Sequence, residues 1–295
     1  MALQRLLRRD EPVQPAKAPS DSHEEELGFP SWVIPSIAHF LRPFWGMTAS
    51  YDPSFPSRDF VREAGIHLRL DLDWSGGHDR AGQSLWAATY RDPERLRRLV
   101  DFALGNIQIG YFFREAEVAV MELDRHLRDA GSVWQVRRVQ GRDEYFLERR
   151  IDATTSAVLD TLTMEETPDA KHLAQARVYA FGQKPQPDKA YDEAVKAVEA
   201  VAIPVVLPND PKATLGKVIG EMRNDPTRWT CTFTEPTADG QSPVDVVIAM
   251  LGVLWTNETD RHAPVVPIEQ EQAESALHMA LTLVQIFRSD AIAKR

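Results

Sequence analysis

In the last third of the chain, apolar residues return every third or fourth position in four successive stretches, a spacing that points to amphipathic helices. Tyr191, Ala194, Val195, Val198 and Val201 form the first stripe, with Asp188 placed to cap it and Pro204 to end it. Asp210-Pro211 reads as the next start, ahead of Leu215, Val218, Ile219 and Met222. Ser242-Pro243 opens a third helix through Val246, Val247, Met250, Leu251 and Leu254. The fourth is expected over 268–287, with Ala273, Ala276, Leu277, Ala280, Leu281 and Val284 on one face. Four such helices joined by loops predict a bundle. The loop at 224–241, carrying Trp229, Cys231 and Phe233, is long and is expected to cover one end.

Upstream the pattern is mixed. Residues 10–28 are rich in Pro, Ser, Glu and Asp and cannot bury enough apolar surface to offset the entropy of ordering, which predicts a flexible arm over 1–28. Between 29 and 56 aromatic residues alternate with prolines, and a short helix is expected around 34–41. Ile66, Leu68, Leu70, Leu72 and Trp74 alternate strictly with polar residues and read as a short half-buried strand or an extended segment. Asp92-Pro93 is a helix start followed by Leu96, Leu99, Val100, Ala103, Leu104 and Ile107. Another helix is expected over 113–130, stopped by Gly131. Segments 133–139 and 145–151 flank a turn at 140–143 and read as a β-hairpin. Asp152 and Thr167-Pro168 open two further helices, the second ending at Gly182. The expected organisation is an arm over 1–28, an accessory α/β region over 29–150 and a helical domain over 151–295. The fold is mainly α.

Composition narrows the class. Hydrophobic and charged shares of 43% and 26% are those of a soluble globular protein. No apolar run approaches the roughly 18–20 residues that span a bilayer. The start, Met1 to Arg9, is too short and polar for a secretory signal, although a brief amphipathic membrane contact is an alternative reading. A lone Cys231 excludes an internal disulfide and a Cys-rich zinc site. The expected location is the cytoplasm.

A net charge of −10 argues against nonspecific phosphate binding. Positive clusters at Arg95/Arg97/Arg98, Arg137/Arg138 and Arg149/Arg150 read as solvated faces, with a nucleic-acid surface on the 133–151 hairpin as the competing reading. Asp71, Asp73, His78 and Asp79 can be drawn as a metal cluster, but nothing distant completes the ligand set. Gly216 and Gly220 lack the spacing and preceding strand of a phosphate loop and read as helix-packing positions.

Chemistry concentrates in Leu251-Gly-Val-Leu-Trp-Thr-Asn-Glu-Thr-Asp-Arg-His262, where a helical apolar run leads into a polar cluster. Two upstream blocks accompany it, Ala190-Tyr-Asp-Glu-Ala-Val-Lys-Ala-Val-Glu199 and Lys212-Ala-Thr-Leu-Gly-Lys-Val-Ile-Gly220. In these three blocks the chain, over about 170–290, resembles the C-terminal domain of abortive-infection-like bacterial proteins, a branch of the HEPN superfamily.

The resemblance implies a HEPN-like helical bundle, a homodimer formed through it, and antiviral defence through RNA binding or metal-independent RNA cleavage, with no cofactor. It implies His262 as acid/base and Asn257 as the polar residue that orients it or the substrate, while Arg261, from a different backbone position, is a candidate substitute cation. The competing reading is that Asp260-Arg261-His262 caps and buttresses the end of its helix. Thr256 stands where the family's motif has an Arg, so an alternative is a non-catalytic HEPN-like scaffold that binds a protein partner. Glu199 is a further candidate polar partner of the motif, read otherwise as a solvated or intrabundle ion pair.

Overall fold

The computed structural model describes residues 28–45, 48–49, 58–110, 113–138, 144–259 and 267–295. Apart from Gly28, the arm expected over 1–28 lies outside them. The chain divides into two compact units, Met1–Val133 and Trp134–Arg295, so the hairpin groups with the second.

In the first unit, α1 (Ile34–Leu41) has Pro35 in its first turn and buries Ile37, Phe40 and Leu41. Two-residue strands, β1 (Thr48–Ala49) and β2 (Arg58–Asp59), pair antiparallel. Helix α2 (Phe60–Leu68) starts where the Asp59 carboxylate accepts from the Arg62 amide, and it buries Phe60, Val61, Ala64, Gly65 and Leu68. The strand expected at 66–74 is therefore not formed. Its first three residues are the end of α2, which stops at Arg69 in a left-handed conformation (φ 56°). Ile66 is 73% exposed, while Leu72 folds back onto Gly65, where an added Cβ would sit 2.8 Å from the Leu72 side chain. A helical face beginning at Phe60 overrides the alternation.

Helix α3 (Gly77–Thr89), absent from the sequence reading, starts at a left-handed glycine (φ 73°) and buries Ala81, Gly82, Leu85 and Thr89. Helix α4 (Pro93–Gly105) has the expected cap, with Asp92 accepting from the Arg95 amide. It buries Leu96, Leu99, Val100, Ala103 and Leu104 of the expected stripe, while Ile107, also buried, lies beyond its end. Helix α5 (Phe113–Asp129) is followed by Gly131 at φ 69°. Phe60 links the aromatic core of this unit, its ring centroid 4.5 Å from Phe44 and 5.4 Å from Phe102.

The second unit opens with the antiparallel pair β3 (Trp134–Arg138) and β4 (Tyr145–Arg149), in register Val136 to Leu147. Then come α6 (Ala153–Thr163), capped by Asp152, and α7 (Pro168–Phe181). Helix α8 (Pro187–Val206) is the central element, packed on α7, on α9 (Leu215–Asn224) and on α11 (Gln270–Arg288). Its buried alanines at 190, 194, 197 and 202 suit that role, since small side chains let several helices approach one axis.

Three expected boundaries shift. Asp188 lies inside α8 rather than at its cap, and its carboxylate accepts from the Ile268 amide at 3.2 Å. Pro204 does not end the helix, which runs on to Val206: only the proline's own N–H bond is lost, and the Leu207 amide still donates to the Ile203 carbonyl at 2.8 Å. Asp210 accepts from the Lys212 amide and Nζ of Lys217 in a turn, and α9 starts later, capped by Thr214. Within the long loop, β5 (Trp229–Cys231) pairs antiparallel with β6 (Ile292–Lys294), and Trp229 is buried. The remaining helix, α10 (Pro243–Thr259), completes the bundle.

The buried polar centre of this unit is Arg177, 1% exposed. Its Nε and Nη2 donate to the two carboxylate oxygens of Glu148 on β4, at 3.0 and 2.6 Å. Nη1 donates to Asp160 at 2.7 Å and Nη2 to the Ser156 hydroxyl at 3.0 Å. This fork joins the hairpin to α6 and α7.

Candidate functional site

Helix α10 starts from a reciprocal cap, in which the Asp245 amide donates to the Ser242 hydroxyl and the Ser242 amide to the Asp245 carboxylate. Val244, Val247, Ile248, Leu251 and Leu254 face the core. The helix continues to Thr259, so Thr256 and Asn257 occupy its last turns. Arg261 and His262 lie outside the described residues, and the structure does not place them.

The three blocks that carry the family resemblance touch one another around this helix end. The Tyr191 hydroxyl, from the first, donates to the Leu254 carbonyl of the third at 2.9 Å. Glu199, also from the first, accepts from the Leu215 amide of the second at 2.7 Å. Its carboxylate thus satisfies an amide at the N-terminus of α9, a role that neither sequence reading foresaw.

The second and third blocks meet at Gly216. A Cβ there would lie 2.6 Å from the Trp255 ring, whereas one at Gly220 meets nothing within 4 Å. Only Gly216 is needed for close helix packing. Gly216→Val is expected to destabilise the fold by about 1–3 kcal/mol through overpacking, while Gly220→Ala is expected to be neutral or stabilising by up to about 1 kcal/mol. Urea midpoints of the two variants check this; equal losses would contradict the geometry.

Beside the α10 end is a cleft of about 240 Å³ lined by Tyr191, Val253 and Leu254 and, from α11, by Glu271, Gln272, Ser275, Ala276 and Met279. Of these α11 residues the sequence pattern picks out Ala276 alone, and as a core position. The available signal was polar side chains at 271, 272 and 275 in the first turns of an otherwise apolar-faced helix.

A second polar cluster escaped the sequence reading, because its halves are 21 residues apart. Nδ1 of His172 on α7 lies 2.7 Å from Glu193 on α8, and Lys196 joins Glu193 and Asp192 at 2.8 Å each. Burial alone would raise the Glu193 carboxyl, but hydrogen bonds from Lys196 and His172 outweigh it and hold the group below its usual range.

The arginines at the sequence-level positive clusters have internal partners. Arg95 pairs with Asp92 at 3.2 Å, and Arg98 donates to the His67 carbonyl at 2.8 Å. Arg97 is buried, which pulls its guanidinium below the ordinary range. On the hairpin, Arg137 lies 3.9 Å from Glu148, Arg138 sits over the Tyr145 ring, Arg149 pairs with Glu274 and Arg150 donates to the Trp134 carbonyl. These contacts weaken the reading of the hairpin as a nucleic-acid surface.

Asp73 accepts from Ser75 and Arg80, and these bonds hold its carboxyl well below the usual range. Among the described residues, no group of three or more His, Cys, Asp or Glu is placed to hold a metal ion. Nor is any described helix long and apolar enough to cross a membrane.

No family model matches the chain, and it matches no curated protein and no solved structure.

Proposed function

We propose that the C-terminal unit is a HEPN-like domain of the abortive-infection type, serving bacterial antiviral defence in the cytoplasm by acting on RNA at the end of α10. The observation that carries the reading is the meeting of its three blocks, through Tyr191, Glu199 and Gly216, around the helix that bears Asn257. Residues quoted for the resemblance on separate stretches of chain are thereby parts of one local structure.

In this reading His262 takes the proton from a ribose 2′-hydroxyl or returns one to the leaving oxygen. Asn257 orients it or the substrate, and Arg261 stabilises charge on the phosphate. A second copy of the chain, packed through the C-terminal bundle, completes the assembly. The test compares RNA cleavage, and growth arrest on expression, between the parent and His262→Ala; equal behaviour would sink the enzymatic form.

The second reading is a non-catalytic HEPN-like scaffold for a protein partner. Thr256 at the motif's Arg position favours it, as do the internal partners of the hairpin arginines. Thr256→Arg separates the two. A decayed nuclease is expected to gain RNA cleavage on regaining its cation, whereas a scaffold gains none.

A further inference from the structure

The cleft beside α10 has two kinds of wall. Val253, Leu254, Ala276 and Met279 make its sides apolar, while Glu271, Gln272 and Ser275 supply polar groups from α11. At about 240 Å³ it falls below the roughly 300–1,000 Å³ of drug-sized sites, so it suits one flat ring system. The backbone of Asn257 lies four residues beyond Val253, about 6 Å further along the helix axis. A base seated against Val253 is thus close to the turn that carries Asn257.

The rim favours one base. Glu271, exposed at the edge, accepts through two carboxylate oxygens when ionised and donates nothing. Guanine presents two neighbouring donors, N1–H and the 2-amino group, beside the acceptor O6. Adenine and cytosine set a ring acceptor next to their amino group, and uracil flanks its one N–H with two carbonyls; each would bring an acceptor against the carboxylate. Ser275, one turn after Glu271 on the same helix, has a hydroxyl that can donate to O6. Oε1 of Gln272 is already held by the Glu269 amide.

We infer that this cleft receives an unstacked guanine of single-stranded RNA, read by Glu271 and Ser275 and covered by Met279. The inference rests on the RNA reading above and adds a base preference to it. Single-stranded RNA is commonly read in this way, through splayed bases held against side chains and bonded along their edges.

The test follows the Met279 methyl signal by NMR in the full chain, labelled at methionine methyl groups and assigned with Met279→Leu. Guanosine, adenosine, cytidine and uridine 5′-monophosphates are titrated separately. The expected result is a saturable Met279 shift with guanosine monophosphate, at least about tenfold tighter than with the others. Glu271→Gln is expected to remove that preference. A methyl signal unmoved by all four nucleotides, or moved equally by them, overturns the guanine site even if the protein cleaves RNA. A guanine-selective shift sustains it even if His262→Ala shows no catalytic role.

Discussion

Arg177→Ala is expected to destabilise the second unit by about 3–5 kcal/mol, the range for breaking a buried ion pair by removing one partner. Glu148, itself 2% exposed, would be left deep in the unit with a 2.9 Å hydrogen bond from Gln135 and an Arg137 guanidinium 3.9 Å away. Arg137 is a poor replacement, since its own burial pulls its guanidinium below the ordinary range. Removing both charges together, as Arg177→Met with Glu148→Leu, is expected to recover part of the loss, because an apolar pair of similar volume leaves no stranded carboxylate, with Arg137 still facing Asp160 at 4.0 Å. Urea unfolding with an unchanged m-value measures both. A loss below about 1 kcal/mol for the single variant would show that the fork is dispensable.

The second large effect concerns catalysis. If His262 moves the proton, His262→Ala is expected to lower RNA cleavage by about 10²–10⁴-fold, the usual contribution of a positioned acid/base. The loss should fall on kcat with KM little changed, because the interaction is made in the transition state. Binding of an uncleavable RNA should be retained, and the unfolding midpoint should match the parent. Loss of binding and stability together would instead assign His262 a structural role. Activity equal to the parent would remove it from the mechanism.

Local chemistry was legible in the sequence. Asp92, Asp152 and Ser242 each cap the helix expected of them, because a cap involves only the next few residues. Asp188 and Asp210 carry the same residue type beside proline, yet their carboxylates go to Ile268 and to the Lys212–Lys217 turn. Alternation at 66–74 misled because a helix end followed by an irregular segment produces the same pattern as a strand. Nonlocal partners left no trace. The β5–β6 pair joins residues about sixty positions apart, and Arg177 finds Glu148 across a change of element.

The candidate site divides along the same line. The helix bearing Asn257 was readable from its periodicity. The contacts between the three blocks were not readable, since a tyrosine hydroxyl reaching a carbonyl 63 residues away has no sequence signature. Glu199 was noticed for its charge, but its partner is a backbone amide that sequence does not display.

The Glu148–Arg177 fork also dictates where the chain can be divided. A fragment beginning at 151 would lose Glu148, the buried partner that takes both Nε and Nη2 of Arg177, and leave the partly exposed Asp160 as its carboxylate. One beginning at Trp134 would keep β3, β4 and both oxygens of Glu148. The hairpin is thus an integral part of the shortest piece of this protein that should express as a self-sufficient folding unit.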